Sequence, residues 1–122
     1  MRIVVVEDDS TVRRLIVQTI SRKTPYEIVA EASDGLVALQ EVRRLSPDVV
    51  IMDVDMPEVN GIEATRTIAQ ELPSTRVVGF SSAGGDARAR MLEAGATSHF
   101  DKDELTKLLG VLKSIEADIE AS

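Results

Sequence analysis

Residues 49–61 read VVIMDVDMPEVNG, and this stretch decides the fold. Four apolar residues, 49–52, lead to Asp53 without a polar interruption. A short run rich in Val and Ile, bounded by turn residues, is typical of a strand buried on both faces of a parallel sheet. Asp53 then lies just beyond the carboxyl end of a central strand, where such sheets place their functional groups. Pro57 and Gly61 predict a tight connection, Pro57 by fixing φ and Gly61 by adopting a backbone that other residues avoid.

Outward from this strand, short apolar runs alternate with amphipathic segments. The predicted strands are residues 3–6, 26–32, 49–53, 76–81 and 97–101. The first predicted helix follows an expected N-cap at Ser10 and ends near residues 23–25. The other predicted helices are residues 36–45, 62–72, 87–94 and 103–120. Gly95 is the expected C-cap of the fourth helix. Alternation at this spacing predicts right-handed βαβ crossovers. We therefore expect an α/β fold with a doubly wound parallel sheet covered on both faces.

The composition fits a single domain over residues 1–122. Aromatic residues make up only 2% of the chain, so the core is expected to be aliphatic and no aromatic surface is available for stacking bases. A net charge of −7 argues against nucleic-acid binding, and the lack of cysteine excludes disulfides and thiolate metal sites. The apolar run at residues 3–6 is too short for a signal peptide or membrane span. We expect a cytoplasmic protein that does not bind membranes.

Charged and hydroxyl side chains lie at the ends of four of the predicted strands. Glu7 and Asp8 follow the first strand, Asp53 ends the third, Ser81 ends the fourth and Lys102 follows the fifth. Carboxylates a few ångströms apart repel by about 4 kcal/mol per pair at an effective dielectric near 20, unless one is protonated or a cation binds. An all-oxygen site of this kind suits Mg²⁺, which favours phosphate as a further ligand, and a lysine suits phosphate as well. Any one of these residues alone would read as a solvated turn residue or a helix cap; their joint placement predicts a functional site around Asp53.

These residues, taken together, resemble the receiver domain of two-component response regulators over essentially the whole chain. The most specific motif is D-x-x-M-P-x-x-x-G, present as Asp53, Met56, Pro57 and Gly61. Residues 4–14, VVVEDDSTVRR, also resemble the chemotaxis member of the family. The resemblance implies a flavodoxin-like sheet of five parallel strands in the order 2-1-3-4-5, with five helices.

The resemblance also implies roles for individual residues. Asp53 would accept a phosphoryl group from a sensor histidine kinase or a phosphotransfer protein, and the domain would catalyse only its own phosphorylation and dephosphorylation. Mg²⁺ would be held by Asp53, by Asp8 directly, by Glu7 through a water and by the backbone carbonyl of Asp55. Ser81 and Lys102 would contact the phosphoryl oxygens. Phosphorylation would then remodel the face made by the fourth helix, fifth strand and fifth helix, which controls an effector domain or partner protein.

The sequence departs from the family pattern in three places. His99 occupies the position of the family's switch aromatic, and we expect either a rotating, pH-sensitive switch or a half-exposed strand histidine. Asp103 replaces the proline that usually follows the lysine, so we expect a trans peptide there and Asp103 as a cap of the final helix. Residues 83–85, Ala-Gly-Gly, predict a mobile segment before the fourth helix.

The final predicted helix, residues 103–120, carries an apolar stripe that is expected to pack on the sheet. Its members are Leu105, Leu108, Leu112, Ile115 and Ile119. Residues 114–122 are expected to overhang the domain, as a linker to an effector or as a homodimer contact.

Three alternatives remain open at this stage. Asp53-Val54-Asp55 resembles the D-x-D of haloacid-dehalogenase-type phosphatases, although an acidic pair precedes it and the chain is short for a substrate-selecting cap. A flavodoxin-type cofactor binder would need a phosphate loop after the first strand, where the acids stand instead. A pseudo-receiver, acting only as an interaction module, would normally have lost an acid or the lysine.

Overall fold

The computed structural model describes residues 1–56, 60–82 and 85–122. Within them, five strands alternate with helices. The strands are β1 (Arg2–Val6), β2 (Glu27–Ala32), β3 (Val49–Asp53), β4 (Arg76–Ser81) and β5 (Ser98–Asp101). The α-helices are α1 (Ser10–Lys23), α2 (Gly35–Leu45), α3 (Gly61–Glu71), α4 (Ala87–Ala94) and α5 (Leu108–Glu120). The expected turn at Pro57 and most of the segment 83–85 lie outside the described residues.

All strand pairs are parallel, and the sheet order is β2-β1-β3-β4-β5. This confirms the flavodoxin-like, doubly wound α/β fold with five helices. Every residue of β3 is buried, as expected for a central strand covered on both faces. One apolar core lies between the sheet and α2, α3 and α4, and the other lies between the sheet and α1 and α5. Among the described residues, no helix has the length and apolar character that a membrane span requires.

Gly61 is needed for close approach rather than for backbone conformation. It is the first residue of α3, after the N-cap Asn60, whose side chain accepts from Glu63 N at 2.9 Å. A Cβ at Gly61 would overlap the carbonyl oxygen of Asp53 and lie 2.9 Å from Val54 Cα. Among the described glycines, the positive φ angles belong to Gly85 and Gly95, so the expectation of an unusual backbone at Gly61 was wrong. Gly61 lets the start of α3 rest directly against the end of β3.

One predicted cap is corrected and another is confirmed. Asp9, not Ser10, caps α1, because its carboxylate accepts from the backbone N–H groups of Thr11 and Val12. Gly95, by contrast, ends α4 with φ 114°, which confirms the predicted C-cap.

The predicted final helix over residues 103–120 is wrong in its first turns. A 3₁₀ helix spans Lys102–Lys107, and α5 begins only at Leu108. Glu104 has φ −109° and ψ 33°, which interrupts the helical path, and Asp101 rather than Asp103 provides the cap. No cis peptide bond occurs in residues 1–56, 60–82 or 85–122, so the Lys102–Asp103 peptide is trans, as expected.

The apolar stripe of the final segment packs as predicted, but its end does not overhang. Leu108, Leu112 and Ile115 are buried against the sheet, and Ile119 packs against the same core. The Tyr26 hydroxyl donates to Glu116 Oε1 at 3.0 Å, which ties α5 to the start of β2. The expectation that residues 114–122 overhang the domain is therefore wrong for residues 114–119.

Candidate functional site

The register of the sheet brings the predicted site residues to one edge. Val6 pairs with Met52 and Asp53 pairs with Phe80, so Glu7 and Asp53 follow from adjacent strand ends. Ser81 ends β4 opposite Asp101, and Lys102 follows directly. Residues as far apart in sequence as 7 and 102 thus share one end of the sheet, where parallel α/β sheets bind their ligands.

Lys102 contacts two carboxylates that are completely buried. Its Nζ lies 3.2 Å from Asp53 Oδ1 and 3.5 Å from Glu7 Oε1, and both acidic side chains are 0% exposed. The ammonium group also lies 5.6 Å from the centroid of the Phe80 ring. Such an arrangement holds the cation over the carboxylates without closing it off from solvent, since the lysine side chain is 27% exposed.

Burial and neighbouring charges shift the pKa values of Glu7 and Lys102. Burial raises the pKa of Glu7 to about 8; the Asp53 carboxylate adds to the rise and Lys102 opposes it. Burial lowers the pKa of Lys102, but the carboxylates of Asp53 and Glu7 more than compensate, and the net pKa is raised. Lys102 therefore remains an ammonium at neutral pH, whereas Glu7 holds a proton when no other cation is present.

The acidic cluster, defined as Glu7, Asp8 and Asp53, has the donor set of a hard divalent cation. One oxygen from each carboxylate lies within 4.8 Å of the others. Two of these buried oxygens, Glu7 Oε2 and Asp53 Oδ2, have no hydrogen-bond partner among the described residues. Asp8 is exposed, which leaves one side of the cluster open to solvent. Oxygen ligands with water access on one side fit Mg²⁺.

Asp55 makes two contacts that the sequence did not predict. Its backbone N–H donates to Asp53 Oδ1 at 2.9 Å, and its own Oδ2 accepts from Ser82 N at 3.1 Å. The residue thereby links the end of β3 to the end of β4. These contacts fix one oxygen of Asp53 and one amide of the neighbouring strand end.

Ser81 is buried, but its hydroxyl bonds to His99 rather than to the acidic cluster. Ser81 Oγ lies 3.0 Å from His99 Nε2, and the two residues are 2% and 4% exposed. The expectation of a half-exposed strand histidine was therefore wrong. Burial is the main cause that lowers the pKa of His99, and Arg88 lowers it further, against smaller opposing effects of Asp101, Asp55 and Glu104.

Two arginines support the site in ways the sequence did not reveal. Arg13 Nη1 donates to the backbone oxygen of Glu7 at 2.7 Å, so α1 supports the chain that carries the acids. Arg88 Nη1 donates to the backbone oxygen of His99 at 2.9 Å, which attaches α4 to β5. Arg13 lies in the motif 4–14 quoted above, but which atom it contacts depends on the fold.

A cleft of about 340 Å³ opens beside the acidic cluster, between the ends of β3 and β4 and the first turns of α3 and α4. Ser81, Ser82 and Asp55 line one side, and Asn60 and Arg90 contribute other parts of the lining. The cleft therefore borders the end of β4, while Asp53 and Lys102 are not part of its lining.

Comparisons with known proteins agree with this geometry. The family model for the response regulator receiver domain matches residues 3–113. Chemotaxis protein CheY of Thermotoga maritima is 33% identical over 115 residues, covering 93% of this chain and 92% of that protein. Protein-glutamate methylesterase/protein-glutamine glutaminase 4 of Myxococcus xanthus is 39% identical over 104 residues, covering 84% of this chain but 30% of that protein.

Solved structures give the same result. A two-component response regulator of the LuxR family from Aurantimonas sp. superimposes with a TM-score of 0.88 at 36% identity, covering 96% of this chain and 85% of that one. The response regulator domain of Thermotoga maritima CheB superimposes with a TM-score of 0.83 at 30% identity, covering 96% and 94%. The chain spans only 29% to 44% of the length of four of the curated relatives it matches. With the sheet order, the acidic cluster and these matches in agreement, the chain belongs to the family of response regulator receiver domains, which act in two-component, phosphorelay signalling.

Proposed function

We propose that Asp53 is the phosphoryl acceptor of this receiver domain. The observation that carries the proposal is the ammonium group of Lys102 placed 3.2 Å from the buried Asp53 carboxylate and 3.5 Å from Glu7. A cation held at a carboxylate that has no access to solvent offsets the negative charge that a phosphate donor brings to it. Phosphoryl transfer needs mainly positioning and charge neutralisation, and both are available at this strand end.

The proposed donor is a phosphohistidine of a sensor histidine kinase or a phosphotransfer protein. One oxygen of the Asp53 carboxylate attacks phosphorus, the P–N bond breaks, and its electron pair goes to the imidazole nitrogen of the donor. The product is an aspartyl phosphate, a mixed anhydride. Dephosphorylation is the attack of water on the same phosphorus, which releases phosphate and restores the carboxylate.

Mg²⁺ is the proposed cofactor, held by the acidic cluster and the backbone carbonyl of Asp55, with Glu7 acting through a bound water. Support comes from the two buried oxygens without partners, Glu7 Oε2 and Asp53 Oδ2, and from the short separation of the three carboxylates. When bound, the ion would supply positive charge to the transferred phosphoryl oxygens and displace the proton held by Glu7.

Three other residues act on the phosphoryl group in this proposal. Lys102 binds one of its oxygens as a point charge. The Ser81 hydroxyl donates to another oxygen after leaving His99. Asp55, through its contact with Ser82 N, holds the ends of β3 and β4 at a fixed distance when the phosphoryl group on Asp53 carries roughly two negative charges.

The proposed output is a change in the face formed by α4, β5 and α5. Arg88 joins α4 to β5 at the backbone of His99, and Leu92, four residues further along α4, is 42% exposed, so α4 offers apolar surface to a partner. We further propose that an effector domain or a separate protein binds this face.

Phosphorylation is tested by incubating the chain with phosphoramidate and Mg²⁺ and measuring its intact mass. We expect one added phosphoryl group in the wild type and in Asp86→Asn, whose exposed carboxylate makes no capping hydrogen bond, but none in Asp53→Asn. A wild-type chain that stays unmodified would identify a pseudo-receiver. Sustained turnover of p-nitrophenyl phosphate would instead support a phosphatase.

A further inference from the structure

Asn60 is the one asparagine of the chain, and a glycine follows it. An asparagine before glycine can lose its side-chain amide spontaneously, because glycine has no Cβ to hinder attack by its own backbone nitrogen. Gly61 is the first residue of α3, and the first amide of a helix has no intrahelical acceptor. Asn60 is partly exposed and lines the cleft, so water reaches its side chain. The chemical requirements for deamidation therefore meet at this dipeptide.

The fold opposes the reaction because Asn60 is the N-cap of α3. Its Oδ1 accepts from Glu63 N at 2.9 Å, and its backbone oxygen accepts from Ala64 N at 3.1 Å. Ring closure also needs Asn60 Cβ and Gly61 N to be nearly eclipsed about the Cα–C bond, and the ψ angle of 163° keeps these two atoms apart. The amide therefore reacts only in molecules in which the first turn of α3 has opened.

Deamidation exchanges ammonia for water in two steps. Gly61 N loses its proton and attacks Asn60 Cγ; a C–N bond forms, the bond from Cγ to the amide nitrogen breaks, and ammonia leaves with its electron pair. Water then opens the cyclic succinimide. Attack of water at Cγ restores the normal backbone and gives aspartate. Attack at the former backbone carbonyl carbon gives isoaspartate, in which the main chain runs through the side chain.

The aspartate product fits the place of Asn60. Asparagine and aspartate are about equally good N-caps, and a carboxylate is favoured beside a helix N-terminus. The chain already contains such a cap, because Asp34 precedes Gly35 at the start of α2 and its Oδ1 accepts from Val37 N at 2.9 Å. We therefore expect α3 to keep its place against the end of β3 after this outcome.

The isoaspartate product does not fit. It adds one carbon to the backbone directly before Gly61 and moves the carboxylate away from the capping position. There is no spare room for the longer path, because even a Cβ at Gly61 would overlap the carbonyl oxygen of Asp53 and lie 2.9 Å from Val54 Cα. The start of α3 must then move away from the end of β3, whose last residue is Asp53.

We propose that Asn60 is a site of spontaneous deamidation, that the cap of α3 controls its rate, and that the isoaspartate product displaces α3 from the phosphoryl acceptor. The third part rests on the proposed function of Asp53. The first two parts concern only the amide, its cap and water. Damage at a partly exposed asparagine would thereby affect a carboxylate that is completely buried.

The rate of deamidation tests the role of the cap. The full chain is kept in mildly alkaline oxygen-18 water, either folded or in urea, and peptide mass spectrometry measures the heavy oxygen gained at residue 60. We expect the folded chain to react at least about ten-fold more slowly than the unfolded chain. Asn60→Ser, which keeps a capping side chain but has no amide, should gain none. Equal rates in the folded and unfolded chain would overturn the proposal.

Hydrogen exchange provides a quantitative check on the cap. The backbone amide of Glu63 is the donor of the capping bond, so its exchange requires the same opening. The factor by which folding slows deamidation should therefore equal or exceed the protection factor of this amide in the same buffer. A smaller factor would show that the asparagine reacts with the cap closed, which contradicts control by the cap.

Phosphorylation of the aged chain tests the third part. The deamidated fraction is separated by ion exchange, and methyl transfer by protein isoaspartate methyltransferase measures its isoaspartate content. With phosphoramidate and Mg²⁺, we expect Asn60→Asp, which has the same charge but a normal backbone, to be phosphorylated at the rate of fresh wild type. Molecules with isoaspartate should react at least about ten-fold more slowly, because displaced groups lose their positioning. They should also have a lower melting temperature.

The two proposals fail in different ways. A fresh wild-type chain that takes up no phosphoryl group contradicts the role of Asp53, while the deamidation rates and the melting temperature of the isoaspartate fraction still decide the role of Asn60. An isoaspartate fraction that is phosphorylated as fast as the fresh chain overturns the proposed displacement of α3 and leaves the phosphoryl acceptor intact.

Discussion

Lys102 Nζ lies 3.2 Å from Asp53 Oδ1, although β3, which ends at Asp53, and β5, which directly precedes Lys102, are not neighbours in the sheet. β4 lies between β3 and β5, and the lysine side chain crosses it over the ring of Phe80. The aromatic face favours a cation above it, and the aliphatic stem of lysine tolerates the apolar path. Phe80 therefore helps to hold the charge in reach of both carboxylates.

Removal of this cation should destabilise the protein when no divalent ion is present. In Lys102→Met the buried carboxylates of Asp53 and Glu7 lose their shared partner, and we expect the free energy of unfolding to fall by about 2 kcal/mol in EDTA. Lys107→Met, which breaks an exposed ion pair with Glu104, should change it by no more than about 0.5 kcal/mol. Urea denaturation measures both; equal losses would show that Lys102 has no special role.

The pH dependence of stability should report on Glu7. Its pKa is raised from 4.5 to about 8 in the folded protein, so between these values the folded state holds more protons than the unfolded chain. The free energy of unfolding should therefore decrease as pH rises through this window, in the absence of Mg²⁺. Glu7→Gln should remove most of the decrease, and the exposed Glu93→Gln should not.

Addition of Mg²⁺ provides the complementary measurement for Glu7. Because the ion competes with the proton, its stabilising effect on the wild type should be largest at the alkaline end of the window. A stability curve that Mg²⁺ shifts equally at pH 5 and pH 8 would argue against proton displacement from the acidic cluster.

Two glycine substitutions should have opposite signs. Gly61→Ala places a Cβ against the end of β3, so we expect a loss of about 1–3 kcal/mol and slower phosphorylation of the adjacent Asp53. Gly110→Ala lies in α5 with no atom within 4 Å of the new Cβ, and it should stabilise by about 0.5–1 kcal/mol. Thermal denaturation measures both changes in stability. If Gly61→Ala is as stable as the wild type, close approach of α3 to β3 is not the reason for glycine at this position.

Arg88 should control the local stability of α4. Arg88→Gln breaks the bond to the backbone oxygen of His99, so amide hydrogen exchange over residues 87–94 should become faster. Arg90→Gln, two residues along the same helix, keeps that bond and serves as the matched control. If both variants exchange at the wild-type rate, α4 is held by its packing alone.

The fold was predictable because short uninterrupted apolar runs alternate with segments of helical spacing, and the placement of ligands at strand ends then brought the acids and the lysine together. The exact helix ends were harder to predict, because neighbouring residues can form the same local feature. Asp9 and Ser10 are equally good caps by type, and the choice became visible only in the structure, where Asp9 has the extended backbone of an N-cap and Ser10 begins the helix. The interrupted helix at Glu104 likewise depends on the path from β5 to α5, which apolar spacing does not record.

Contacts between distant elements could not be predicted from the sequence, for a different reason. The bond of Ser81 to His99, and that of Arg88 to the His99 backbone, depend on which face of β5 lies beneath α4. Strand alternation alone leaves that face undetermined until the register with β4 is known. His99 was thus recognised by its position, whereas its burial and its partner came from the fold.

β5 is a four-residue strand at the border of the sheet, bonded on one side only, and both His99 and Lys102 depend on it. Detachment of this short border strand would withdraw the ammonium and the imidazole together while leaving the acids on β1 and β3 in place. The pocket around Asp53 would then keep its carboxylates, which can bind a metal ion, but would lack the lysine proposed to bind the phosphoryl group.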